Sequence, residues 1–159
     1  MKHLPKHLRP RWRYLAVAIE SWPDASFDRR ALQRDLWYAA QNLLGDTGSA
    51  EVDLTVVSFD RTDGEATAIV RTRRGHTDEA RAALACLDSV GDDPVGLRVR
   101  GISGTVRACE EKYIRGPPEA PAKRQVVFEN QDRRAVERGE RIDVRTDDAF
   151  AGTTALDFR

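Results

Sequence analysis

The chain has 159 residues, in which 26 Lys+Arg balance 26 Asp+Glu, 40% of positions are hydrophobic and 7% aromatic. That length supports one domain with an appendage, because two domains would each bury too little apolar surface. No apolar run approaches the ~20 residues a membrane-spanning helix needs, and the start, MKHLPKHLRPRWRYL, lacks a signal peptide's apolar stretch, so a cytoplasmic protein is expected.

Residues 1–12 form a basic N-terminal arm. From Arg13 to Glu20 the run RYLAVAIE alternates, with Leu15, Val17 and Ile19 on one face, which predicts a half-buried strand. After Trp22-Pro23-Asp24, Ser26 or Asp28 can cap a helix in which Leu32, Leu36, Ala39 or Ala40, and Leu43 recur at helical spacing, ending before Gly45. Val52 to Phe59 predicts a β-branched strand, Asp60 to Gly64 a turn, and Glu65 to Arg73 the returning strand of a hairpin. Thr77 can cap a second helix with Ala80, Ala83, Leu84, Leu87 and Val90 on one stripe, ended by Gly91-Asp92-Asp93-Pro94. Val95 to Ile102 predicts a fourth strand and Thr105 to Ile114 a short helix, with Val106, Cys109 and Tyr113 on one side.

The order βαββαβ plus a terminal helix is the split βαβ, ferredoxin-like arrangement, an α+β two-layer sandwich with both long helices on one sheet face. Residues 13–116 are expected to form this domain. Gly116-Pro117-Pro118 and Ala120-Pro121 then make a stiff break, and 117–159 reads as a charged, poorly structured C-terminal tail with scattered apolar positions.

Charge is uneven beneath the neutral total. Arg supplies 22 of the cations and Lys only 4, while Asp outnumbers Glu 16 to 10, a bias that suits a salt-adapted proteome. A partner meets the local field rather than the sum. Lys2, Lys6, Arg9, Arg11 and Arg13 surround Trp12 and Tyr14 with no acid before Glu20; Arg71, Arg73 and Arg74 end the third strand; Arg98, Arg100, Arg107, Lys112 and Arg115 form a third island. Cations interleaved with aromatics suit phosphate contact. Between Arg100 and Arg107, Gly101-Ile102-Ser103-Gly104-Thr105 makes a strand-to-helix turn whose glycines admit a phosphate and whose hydroxyls can bind it. The sheet lacks the aromatic signature of an RNA recognition motif, so shape and backbone recognition are expected over base stacking.

Protein-borne catalysis is not expected. His3 and His7 flank Pro5 and lack a zinc-protease glutamate, and His76 falls just ahead of a helix. The pairs Asp92-Asp93, Glu110-Glu111 and Asp147-Asp148 read as turns or solvated faces. Cys86 and Cys109 are too few for a disulfide framework or a four-cysteine zinc site, and both are expected to be buried, reduced thiols.

The segment Ser103-Gly104-Thr105-Val106-Arg107-Ala108-Cys109, with Arg13-Tyr14-Leu15, Leu43-Leu44-Gly45, Ala68-Ile69-Val70-Arg71 and Ala82-Ala83-Leu84 in the same order, resembles the archaeal ribonuclease P protein component 2 family. The resemblance covers about residues 9 to 116. It implies a non-catalytic subunit of a ribonucleoprotein that removes the 5′ leader from precursor tRNA. By that resemblance the RNA cleaves with magnesium ions, the protein binds no cofactor or metal, and ribonuclease P protein component 3 joins it in a heterotetramer. The partners expected are thus ribonuclease P RNA, precursor tRNA and that protein. Arg107 would contact phosphate and Cys109 would pack inside. The RNA-facing set expected is Arg9, Arg11, Arg13, Arg71, Arg73, Arg74, Arg98, Arg100, Ser103, Thr105, Arg107, Lys112 and Arg115. Two other readings remain. The open sheet face, with small residues Ala16, Ala18, Ala66 and Ala68, could bind only a protein; Gly101 to Thr105 could bind a small metabolite.

Overall fold

The computed structural model describes residues 3–114, 121–147 and 149–158. Strand β1 (Trp12–Ser21) is followed by helix α1 (Arg29–Val52), strands β2 (Thr55–Thr62) and β3 (Glu65–Arg73), and helix α2 (Thr77–Ala85). A short strand β4 (Ser89–Val90), the long strand β5 (Asp93–Ser103) and a single helical turn α3 (Val106–Cys109), continued by a wide turn over Glu110–Ile114, complete the first body. Its sheet runs β2-β3-β1-β5-β4 with antiparallel neighbours, the ferredoxin-like order expected from the sequence.

Alternation divides the sheet into two faces. Leu15, Val17 and Ile19 meet Leu32, Leu36 and Ala40 of α1 and Ala80, Ala83 and Leu84 of α2 in one apolar layer. A fully buried Leu or Ile there contributes about 1.5–3 kcal/mol over its exposed state. Gln33 ties α1 to the neighbouring strand by accepting from Val56 N (2.7 Å) and donating to Leu54 O (3.2 Å). The Asp28 carboxylate caps α1 through Ala31 N at 2.8 Å.

Several expectations need correction. Gly45 does not end α1: it takes φ 73 inside a kink, and the helix resumes to Val52, so Val52 is helical rather than the start of a strand. The stop falls at Asp53, in the left-handed region at φ 50, whose N–H reaches Ser49 O at 3.0 Å. Helix α2 ends at Ala85 with His76 rather than Thr77 at its N-cap, and Val90 reaches the core from β4 instead. Ala66 and Ala68 pair with Ile19 and Val17 and therefore face the helices, not the open side. Cys86 is exposed; Cys109 is buried.

The largest correction concerns the tail. Residues expected to be poorly structured form an antiparallel sheet in the order β6 (Ala122–Phe128), β7 (Gln131–Arg138), β8 (Arg141–Arg145), β9 (Phe150–Thr154). Glu129 and Asn130, at φ 51 and 60, make the first turn, a backbone that favours Asn and Gly. One face closes on a small cluster of Val126, Ala135, Ile142 and Val144 with Phe128 and Phe158. The other face turns to the first body, where Arg138 bonds the Ser21 and Gly64 carbonyls and Phe150 meets the Trp22 ring edge-on at 5.8 Å.

Candidate nucleic-acid interface

Register gathers the cations. Trp12 pairs with Arg73 and Tyr14 with Arg71, so the start of β1 lies beside the end of β3, and Tyr14 also pairs with Ser103 at the end of β5. Arg74 N extends this edge by donating to Arg11 O at 2.9 Å. One end of the sheet thus holds Arg11, Arg13, Arg71, Arg73, Arg74, Ser103 and the α3 segment. Arg9, two residues before Arg11, is exposed and donates from Nε to Leu4 O at 2.9 Å.

Guanidinium orientation is set locally. The Arg71 guanidinium lies 4.0 Å from the Trp12 ring centre and that of Arg73 5.8 Å, contacts worth about 0.5–2 kcal/mol according to their desolvation. Arg73 leans on Asp53 at 3.6 Å, across an exposed contact of little energetic weight. Asp53 was absent from the sequence-derived set because only the helix extension to Val52 places it there. Among the described residues the buried Arg71 Nε and Ser103 hydroxyl have no hydrogen-bond partner. Arg13 Nη1 would lie 3.2 Å from a side chain at Gly104, so the glycine lets this cation lie over the turn.

Thr105 and Arg107 differ in what they leave free. The Thr105 hydroxyl accepts from Ala108 N at 3.1 Å and caps the turn, whereas the Arg107 side chain is 87% exposed and meets Glu111 at 2.9 Å. Gly101 does not admit a phosphate as expected. A β-carbon there would stand 2.1 Å from Tyr113 Cζ, so the bare backbone is already covered by an aromatic ring. Tyr113 packs with Tyr14, Val57, Val106 and Ile114 around Ala16, Ile69 and Cys109, and covers this part of the open sheet face.

The remaining expected cations are not all brought together. Arg98 pairs with Ala18, four residues along β1 from Tyr14, hence about 13 Å away. It lines a separate groove with Glu20, Arg141 and Asp143. Arg100 is the extra residue of a bulge between Val99 and Gly101, exposed between the two regions. Lys112 is exposed on the turn after α3; Arg115 lies outside the described residues.

Cys109 Sγ sits 3.7 Å from Tyr14 O, and burial, aided by the Glu110 charge, pushes its thiol pKa upward. At pH 8 one thiol, Cys86, should therefore react with a disulfide reagent within minutes, and the second only after unfolding in guanidinium. Two fast thiols in the native protein would contradict the packing of α3. Among the described residues no group of three or more His, Cys, Asp or Glu could hold a metal ion, and no helix is long and apolar enough to cross a membrane.

Fold and site together define a class: a ferredoxin-like α+β sandwich that concentrates guanidinium groups at one end of its sheet. The chain belongs to the Rpp14/Pop5 family, whose match spans residues 13–114. It is 74% identical to ribonuclease P protein component 2 of Haloarcula marismortui across 100% of both chains. It is 32% identical to the protein of that name from Thermococcus kodakarensis over 113 residues, 71% of this chain and 91% of that one. A chain of the cryo-EM structure of yeast ribonuclease MRP aligns at a TM-score of 0.46 and 18% identity, covering 60% of this chain and 75% of that chain.

Proposed function

We propose that this chain is a protein subunit of ribonuclease P that grips the RNA component through its arginine-rich sheet end. The carrying observation is the meeting of Arg11, Arg13, Arg71, Arg73 and Arg74 with the Arg107 turn, which antiparallel register imposes. Arginine forks hold phosphate bidentately and depend less than lysine on long-range attraction, which screening removes at high salt. In this reading the protein carries no active site. The RNA cleaves the 5′ leader from precursor tRNA, and the magnesium ions belong to the RNA.

A protein partner, ribonuclease P protein component 3 in a heterotetramer, belongs on the outer face of α1. There Trp37 and Tyr38 are 53% and 58% exposed and line a shallow depression with Arg30 and Arg34. Large exposed aromatics beside arginines are what protein interfaces enrich. This replaces the open sheet face as the protein-binding surface, since Tyr113 and Ile114 cover the part around Ala16.

In an enzyme reconstituted with its RNA and partner proteins, Arg74→Ala with Arg107→Ala should slow leader removal about tenfold at limiting magnesium, on the scale of two lost phosphate contacts. Raising magnesium should recover part of the rate. The melting temperature should stay at the parent's value, because both side chains are exposed. An unchanged rate at limiting magnesium would count against the RNA-facing end.

A further inference from the structure

The C-terminal sheet lies outside the family match and beyond the residues needed to describe the arginine-rich end. Where it meets the first body, a cleft of about 410 Å³ opens between the turn Trp22-Pro23-Asp24 and strands β6, β7 and β8. Four cations line it, Lys123, Arg124, Arg134 and Arg145, against one carboxylate, Asp24. That carboxylate is already engaged by Arg145 at 3.2 Å, a hydrogen bond that holds its pKa below the ordinary carboxylate range. Arg124 leans on Glu137 at 3.6 Å; among the described residues Lys123 and Arg134 have no carboxylate partner.

A second observation is independent of charge. Trp22 is 5% exposed, with the Arg145 guanidinium 5.3 Å over its ring, and among the described residues its buried indole N–H has no acceptor. Indole only donates, and a buried donor without an acceptor is costly. The cleft is thus lined by donors and short of acceptors. Its apolar lining cannot anchor a peptide, because Trp22, Ala135 and Val136 are all buried, at 5%, 2% and 1% exposure. Apart from the half-buried Pro23, the lining side chains that reach solvent carry charged or polar heads.

We propose that this cleft is a second RNA-contact site, which takes a phosphodiester segment through Lys123 and Arg134, beside the Arg145 guanidinium. The proposal rests on the ribonuclease P reading for its choice of polyanion. The cleft lies at the opposite end of β1 from the arginine-rich patch, about 30 Å away along ten residues of strand, so one folded RNA could be held at both ends of the domain.

The test uses the full chain and a fluorescein-labelled 12-nucleotide RNA, with binding read by anisotropy at several salt concentrations. Lys123→Ala with Arg134→Ala should weaken binding about tenfold near 0.1 M salt and lower the salt slope by about 1.4, as expected for two lost single-strand phosphate contacts. Both residues are exposed, so an unchanged melting temperature checks folding. Unchanged affinity and slope would overturn the cleft site. If Arg74→Ala with Arg107→Ala then weakens binding, the ribonuclease P reading survives; if neither pair matters, both fail. Loss of binding to a labelled glutamate-rich peptide, with RNA binding retained, would overturn the RNA assignment in favour of an acidic protein.

Discussion

Arg138→Ala should destabilise the protein by about 3–5 kcal/mol and release the C-terminal sheet from the first body, because it breaks a buried ion pair. The Arg138 side chain is 8% exposed and that of Asp143 3%, and they meet at 2.6 Å. The same guanidinium donates to Ser21 O at 2.7 Å and Gly64 O at 3.0 Å, one carbonyl ending β1 and the other in the β2–β3 turn. Two of these bonds join the two sheets, and the third, to Asp143, fixes the guanidinium within the C-terminal sheet. Its Nε is buried without a partner among the described residues, which subtracts from its worth without breaking the staple.

Removing Arg138 would leave a buried carboxylate held by Arg141 alone, whose Nε lies 3.0 Å from Asp143 and which also reaches Glu20. Urea denaturation should then lose its single transition, with β6–β9 unfolding before the first body, and trypsin should cut within the sheet while the rest persists. Arg138→Ala combined with Asp143→Ala should cost less than the two single losses together, because the second change removes the stranded charge. A single transition at the parent's midpoint for Arg138→Ala would refute the staple.

This contact explains why the order of the tail is not legible in the sequence. Its strands carry Arg133, Arg134, Arg138, Arg141 and Arg145 among Glu and Asp, and its small core holds Val126, Ala135, Ile142 and Val144 with Phe128 and Phe158. Local hydropathy reports such a run as solvated. What orders it are pairs separated by more than a hundred residues, Arg138 with Ser21 and Arg145 with Asp24, which no local pattern contains. The first body was legible because Leu15, Val17 and Ile19 alternate cleanly, and two helical stripes need that one face.

The same distinction divides the site. Arg11 and Arg13 stand in one sequence island and Arg71, Arg73 and Arg74 in another, and they become one cluster only because β1 and β3 pair antiparallel, so that the first residues of one face the last of the other. Arg98 was grouped with Arg107 by sequence distance alone, and strand rise carries it about 13 Å from Tyr14. Gly45 looked like a helix stop because a glycine at a kink and a glycine past a helix end share the same positive φ.

Gly101→Ala is the second change expected to have a large effect, and its mechanism is steric rather than torsional, for Gly101 is not among the positive-φ residues. The added β-carbon would fall 2.1, 2.2 and 2.5 Å from Tyr113 Cζ, Cε1 and Cε2, all ring atoms that can retreat only by moving the whole side chain. Overpacking of this kind costs about 1–3 kcal/mol. The displaced ring uncovers Ala16, Ile69 and Cys109, so the buried thiol should become reactive in the native protein. In a Tyr113→Ala background the alanine at 101 should cost almost nothing, and the cycle should give a coupling of about 1–3 kcal/mol. Equal costs in both backgrounds would show that the glycine serves something other than the ring. Because Arg107 and Lys112 ride on the segment that Tyr113 fastens, RNA affinity should fall with the packing, and the Tyr113→Ala variant should share that loss although it keeps every cation.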